Sequence, residues 1–529
     1  MRRSLWQSYM TMEAISLAIN PWVLFAVTVA FLWCLLFRRQ KPANYPPGPW
    51  GLPIVGNLPH LGSSPHIALT ELSKVYGDVF SVRFGSRDAV VLNSEKVVRE
   101  ALLQRHRQYS NRPSLFMMNV LGVQKFSIAF GEYCPIQVQR KRCALRAIHE
   151  TVFSDLDHFN KIVQDVFKDF EKELFQKGTE IFQPSVQLKM AVSKIMFKFT
   201  FGEDPRDHLL SKELERIAVE STEFTESGAA GALVDFIPSL KPFLRKQIAV
   251  AEHSVEELIN FVHKVYTTRK HLLTSDSCIA LCIKKLLENL LKKYSGEPKM
   301  YSNTLNEQSY PLPQSKSCNI SDEEMAKLIS ADIFGAGLET VGNALCWAMG
   351  FIVNNQEIQQ DLHRELDRTV GRHRLPNIQD KPNMPLLQAT VLEVLRISSV
   401  LPIALPHETS EDATLGSYKI PKGTLVVVNL WAVNHDPRVF DNPHEFNPYR
   451  FLDGNGALCE KKSRLQMPFS IGSRRCLGST LAKAEIFLLL ACLLHKYQFS
   501  SPNGSNIDLK GRFGFTWSPN PFSIRIRIR

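Results

Sequence analysis

The residues with the plainest chemistry run Phe469-Ser470-Ile471-Gly472-Ser473-Arg474-Arg475-Cys476-Leu477-Gly478. Gly472 and Gly478 bracket one cysteine, so the backbone can turn tightly and approach a flat ligand. Arg474 and Arg475 precede the thiol, and an apolar helical segment, Leu477 to about His495, follows it. Cationic side chains and a helix N-terminus both favour thiolate over thiol. A thiolate with clearance beside it is what an iron porphyrin needs on its proximal face, and it pushes electron density onto the iron and favours O–O cleavage. A cysteine before a core helix is more often a packing residue; three patterns upstream argue otherwise.

The first is Gly335-Ala336-Gly337-Leu338-Glu339-Thr340-Val341. Ser321 and Glu324 read as a capping box. The helix it opens runs to about Asn354, about 50 Å at 1.5 Å per residue. Glycine inside a helix costs about 1 kcal/mol relative to alanine. A widened turn with a threonine hydroxyl aimed into it would give those glycines a use, as a groove for dioxygen. The plain alternative is a kink with the threonine bonded back to the preceding turn. The second pattern is Glu393-Val394-Leu395-Arg396, in an apolar helix over Leu386 to Val400. Spacing i to i+3 only places a pair on one helix face, and Glu213/Arg216 and Glu365/Arg368 have it too. The third, Pro448-Tyr449-Arg450-Phe451, follows Glu393 and gives it context.

Together and in this order, the patterns resemble the cytochrome P450 monooxygenases over roughly residues 45 to 529. The resemblance implies a mainly α fold with small β-sheets (α+β) behind an N-terminal transmembrane helix. It implies haem b, with Cys476 as iron ligand and Phe469, Gly472, Arg474 and Gly478 in its signature loop. Thr340 would deliver protons and Glu339 would relay them. Glu393, Arg396 and Arg450 match the family's structural triad. His407, after the apolar run Leu401 to Pro406, stands at the position that meets a haem propionate. The family's W-x-x-x-R pair, which binds a propionate, falls at Gln137 and Lys141 in a basic helix over Ile136 to Ile148. Both can bond a carboxylate, but lysine lacks the bidentate fork, so weaker haem retention is expected.

The chain has 529 residues, 44% hydrophobic and 10% aromatic, enough for a substantial core. Ten scattered cysteines without a C-x-x-C pair do not look like a disulfide framework or a zinc site and suit a reducing compartment. Ala14 to Phe37 carries no charge and exceeds the about 20 residues a bilayer needs. Arg38, Arg39 and Lys41 hold its C-terminal side in the cytosol; Arg2 and Arg3 oppose this unless Met12 is the start. Tyr45 to Pro53 is proline-rich and reads as a stiff spacer. The expected organisation is an anchor (1–41), a hinge (42–57) and one catalytic domain (58–529), on the endoplasmic reticulum membrane and facing the cytosol. Val79 to Leu92 reads as two strands, and Phe513 to Thr516 as a pocket hairpin.

The expected activity inserts one oxygen atom of O2 into an apolar substrate. The sequence is similar to aryl-hydrocarbon hydroxylases and steroid 17-alpha-hydroxylases, which leaves aromatic xenobiotics and steroids both open. Electrons would come from NADPH through NADPH-cytochrome P450 reductase, with cytochrome b5 as a further partner and no nucleic acid. A net charge of +11 suits an acidic reductase and anionic lipid; Arg140, Lys141, Arg142, Lys461, Lys462 and Arg464 are the expected contacts. The rivals are a haem-thiolate isomerase or dehydratase and a non-catalytic haem-binding protein; retained Glu339-Thr340 opposes both.

Overall fold

The computed structural model describes residues 25, 28–29, 41–116, 127–176, 180–203, 210–231, 233–271, 278–294 and 321–529. The helices around the site are α1 (Pro135–Ile148), α2 (Pro184–Phe201), α3 (Ser211–Gly231), α4 (Arg245–Arg269), α5 (Asp322–Asn354), α6 (Pro385–Ser398) and α7 (Ser479–Lys496). The strands that matter are β1 (Val79–Phe84), β2 (Arg87–Leu92), β3 (His407–Glu408), β4 (Leu425–Val428), β5 (Gly511–Phe513) and β6 (Trp517–Pro519). The result is mainly helical with small sheets.

α5 is the axis of the body. Ser321 caps it, its hydroxyl accepting the Glu324 amide at 3.1 Å, and Asp322, Glu323 and Glu324 complement the dipole in its first turn. Beyond Val341 the helix is buried all round, so no amphipathic stripe marks it. It packs against α2, α7 and α6 in the largest core cluster. Among the described residues it is long and apolar enough to cross a membrane, yet 83% of its most apolar stretch lies inside the body, as a core helix does. The anchor expected over Ala14 to Phe37 lies outside the described residues, except that Phe25, Thr28 and Val29 are helical and exposed.

A four-stranded sheet closes one side in the order β1-β2-β4-β3. β1 and β2 are antiparallel, β2 and β4 parallel, and β3 joins β4 with His407 opposite Val426. The proline segment is not a free spacer. The Ser81 amide donates to the Pro47 carbonyl at 2.7 Å and the Ser81 hydroxyl to Pro46 at 2.9 Å. A side chain at Gly48 would strike the Ser81 carbonyl, so the segment lies flat on β1.

Candidate functional site

A cavity of about 430 Å³ runs between α5 and the loop before α7. Cys476 lines it beside Phe469, Arg474, Leu477 and Gly478. The Cys476 thiol is enclosed on its other sides, and its accessible surface opens on the cavity. Nothing stands within 4 Å of where a Cβ at Gly478 would project, which leaves clearance for a flat group. Gly472 has another cause: its φ is +78°, and a Cβ there would overlap the Leu102 carbonyl. The loop therefore needs Gly472 to pack on the protein, and Gly472 does not line the cavity. Burial pushes the Cys476 thiol up; the Gly478 amide, Lys141 and Arg475 pull it down without prevailing. Burial thus opposes the thiolate that the neighbouring cations favour, and a bound metal deprotonates a coordinating thiol outright.

Five cationic or basic side chains line the cavity, the exposed Arg475 and four that are buried or half-buried, Arg112, Lys141, His407 and Arg474. The partners of these four are backbone carbonyls. Arg474 donates to Ser110 at 2.8 Å, Ile128 at 3.2 Å and Gly131 at 2.6 Å. Arg112 donates to Ala129 at 2.9 Å and to Leu405 and Pro406 at 2.8 Å each. Lys141 donates to Ser473 at 2.7 Å and Arg475 at 2.6 Å, stapling α1 to the cysteine loop with one N–H to spare. Burial and then repulsion from Arg474 bring Lys141 down to about 8; burial brings Arg474 to about 10. Among the described residues no carboxylate neutralises Arg112, Lys141 or Arg474. Buried cations left this way fit a ligand carrying its own carboxylates. Their donor set and the clearance at Gly478 suit a haem with two propionates.

His407 is 1% exposed, with Nδ1 2.7 Å from the Tyr109 carbonyl. A carbonyl only accepts, so Nδ1 carries the hydrogen, and Nε2 donates only if the ring takes a second proton. Burial and Arg112 hold the ring neutral. Gln137 departs from expectation. Its side chain is buried, donates to Ile128 at 2.8 Å and does not line the cavity. It helps to hold the carbonyl that Arg474 also uses.

On the far wall α5 passes Gly335 and Gly337 as unbroken α-helix, so the widened turn does not appear. A Cβ at Gly335 would meet Leu258 of α4, and one at Gly337 Met196 of α2. Close helix packing is the use these glycines have. Thr340 donates to the Ala336 carbonyl at 2.8 Å, the back-bonded form. Glu339 is 4% exposed and accepts from Lys189 at 2.5 Å, Asn343 at 3.1 Å and Thr222 at 3.0 Å. Asn343 also donates to Thr516 at 3.1 Å. The acid and the hydroxyl share one helix turn without touching among the described contacts.

Glu393 and Arg396 are fully buried and bidentate at 2.8 Å twice, with Arg450 joining at 3.1 Å. Arg396 also donates to Asn434 and Pro443 at 2.8 Å each, pinning the chain before the cysteine loop. The look-alikes do something else. Glu365 accepts the Leu386 and Leu387 amides at 2.8 Å each and caps α6. Arg216 pairs with Glu220 and Glu257, and Glu213 with Lys264.

Sequence reading missed Arg112, Lys189 and two acids on the cavity wall. Asp332 accepts the Ile128 amide at 2.6 Å, and burial raises it to about 6. Glu485 of α7 is fully buried, both oxygens without a partner among the described residues, and burial raises it to about 8. A charged residue in an apolar run was the available signal for Glu485; Arg112 sits in irregular chain and offered none. Phe130, Phe224 and Phe515 meet on the cavity wall, with centroids 6.4 Å (Phe130–Phe515) and 6.1 Å (Phe224–Phe515) apart.

The profile of the family described as Cytochrome P450 matches residues 46–526. Cytochrome P450 1A2 of Rattus norvegicus is 32% identical over 527 residues, 96% of each chain. Cytochrome P450 1A2 of Cavia porcellus is 34% identical over 501 residues, covering 92% of this chain and 93% of the relative. The Homo sapiens protein of that name is 32% identical over 504 residues, with the same coverage.

Proposed function

The chain belongs to the cytochrome P450 family and is a monooxygenase, and we propose that it hydroxylates flat, apolar aromatic molecules at the cavity between Cys476 and Thr340. Haem b, when bound, supplies an iron that takes the Cys476 thiolate and activates dioxygen. Arg112, Lys141 and Arg474 hold its propionates, with His407 joining once protonated. The observation that carries the reading is their convergence, without a carboxylate partner, on the cavity that Cys476 lines.

Phe130, Phe224 and Phe515 set the substrate class. Aromatic rings set at a tilt to one another on the cavity wall favour a planar π-system over a puckered steroid. Thr340 gives protons after releasing the Ala336 carbonyl, and Glu339 resupplies it after leaving Lys189. Electrons arrive from NADPH through a flavoprotein reductase whose acidic surface meets the exposed Arg142, Lys461 and Lys462. The uncharged run before Arg38 anchors the protein to the endoplasmic reticulum. Removing residues 1–41 should move the protein from the alkali-washed membrane pellet to the soluble fraction; a wild type already soluble refutes the anchor.

The test is the carbon monoxide difference spectrum of the reduced, membrane-bound protein, followed by turnover with reductase and NADPH. A strongly red-shifted Soret band that Cys476→Ala abolishes, and oxygenation of a planar polycyclic probe, are expected. A band that survives Cys476→Ala sinks the ligand assignment. Faster turnover of a steroid than of any planar aromatic sinks the substrate class.

A further inference from the structure

Three of the chain's seven tryptophans stand in ring contact just outside the cavity. Trp347 of α5 lies nearly parallel to Trp517 of β6, at 17° and 6.4 Å between centroids. The Trp347 Nε1–H donates to the carbonyl of Trp517 at 3.0 Å. Trp517 meets Trp431, in the short helix Leu430–Asn434, edge-on at 6.2 Å. His66 fills the angle between them, 4.7 Å from Trp517 and 4.9 Å from Trp431.

None of the three indoles lines the site, but a near neighbour of each along the chain does. Thr516 and Leu430 line the cavity and immediately precede Trp517 and Trp431; Ala344, three residues before Trp347 on α5, lines it too. The outer ends differ. Trp347 is 3% exposed and Trp517 8%, whereas Trp431 is half-buried and reaches the surface. The backbone is shaped for the middle indole: a Cβ at Gly511 would run into the Trp517 ring.

Packing alone accounts for aromatic clusters, and each such pair contributes about 1 kcal/mol beyond its area. It does not account for His66. Both His66 ring nitrogens are buried without a partner among the described residues, a cost that a leucine in its place would avoid. Burial lowers His66 to about 4, so no imidazolium stands between the indoles to oppose positive charge on them. Indole is among the side chains most easily oxidised by one electron, and a neutral ring in contact with two of them couples them.

We propose that Trp347, Trp517 and Trp431 form an electron path that drains unused oxidising equivalents from the oxygen-activating site to the surface. When no substrate takes the activated oxygen atom, the inner indoles give up one electron and become a radical cation. Trp431 refills them, and a small thiol in solution refills Trp431. Two passes reduce the oxygen atom to water with two protons, while two thiols become a disulfide and release two electrons and two protons. The cavity and Cys476 are thereby spared oxidation.

The test uses full-length holoenzyme with the thiolate-type carbon monoxide band, mixed with a peracid without substrate and freeze-quenched for electron paramagnetic resonance. Wild type should show a tryptophanyl radical that glutathione removes. Trp517→Phe should lower that radical several-fold. Trp431→Phe should leave a radical that glutathione no longer reaches. With glutathione present, both variants should bleach several-fold sooner, while turnover of bound substrate is unchanged. Wild-type radical yield, quenching and survival in both variants would overturn the path. Trp431 is half-buried, so Trp431→Phe decides the matter even if Trp517→Phe does not fold.

Discussion

The cysteine loop and the inner face of α5 face each other across one cavity and use their polar groups differently. Around the loop, Arg474, Lys141 and Arg112 are fastened to backbone carbonyls, and the Glu393–Arg396–Arg450 cluster fixes the chain behind it. Such bonds hold a shape and leave charge free for a ligand. On α5 the groups are fastened to one another: Glu339 to Lys189, Asn343 and Thr222, and Thr340 to its own helix. On the proposal that Thr340 and Glu339 deliver protons, those bonds break first. One wall is pre-organised, and on that proposal the other is a resting state that the reaction opens.

The sharpest way to break that contrast is at the fixed wall. Arg396→Ala leaves Glu393 charged and buried, and should cost about 3–5 kcal/mol. Denaturant unfolding should show that loss and haem content should fall with it. Arg368→Ala, at the exposed member of a look-alike pair, should change stability by under about 0.5 kcal/mol. Equal effects would mean the buried cluster holds nothing.

On the movable wall stability and function should separate. Thr340→Ala removes only a back-bond, so the unfolding midpoint should hold. Product per NADPH should fall by about a hundredfold, within the range for a positioned proton donor, with peroxide released instead. Unchanged coupling would mean another group supplies the proton.

Asp332 sharpens the comparison through pH. Its folded carboxyl titrates near 6, above the ordinary 3.8. The stability linked to that proton is complete below pH 3.8 and is lost as pH rises through 6. The loss is about 3 kcal/mol. Urea midpoints at pH 4.5, 5.5 and 7 should fall along that series in wild type and lose this component in Asp332→Asn. Parallel curves would show that the carboxyl titrates normally.

Apart from the Arg368 control, the smallest effect is expected at Gln137. Gln137→Trp puts a larger ring into a filled space beside Ile128 and should destabilise by about 1–3 kcal/mol without raising haem content. A marked rise in haem content would place Gln137 at the ligand after all.

Much of the framework was legible because it is local. The span of α5, the strands from Val79 to Leu92, α6 and the run into α7 follow from caps, alternation and apolar content within a few residues of each position. The anchor and its topology rest on composition alone, outside the described residues.

What the chain determined by itself was the inventory: a cysteine between glycines, an acid beside a threonine on a core helix, an acid three residues before an arginine. Which of these meet was decided by tertiary structure, because the partners lie far apart along the chain. Lys189 reaches Glu339 from another helix, Arg112 reaches carbonyls beyond Leu401, and His66 finds Trp517 near the opposite end. Spacing along a helix is set by backbone geometry and repeats wherever the pattern occurs, as Glu365/Arg368 shows. Burial and pairing are set by what the rest of the fold brings to that spot, and that alone made Glu393 a buried anchor and Glu365 a helix cap.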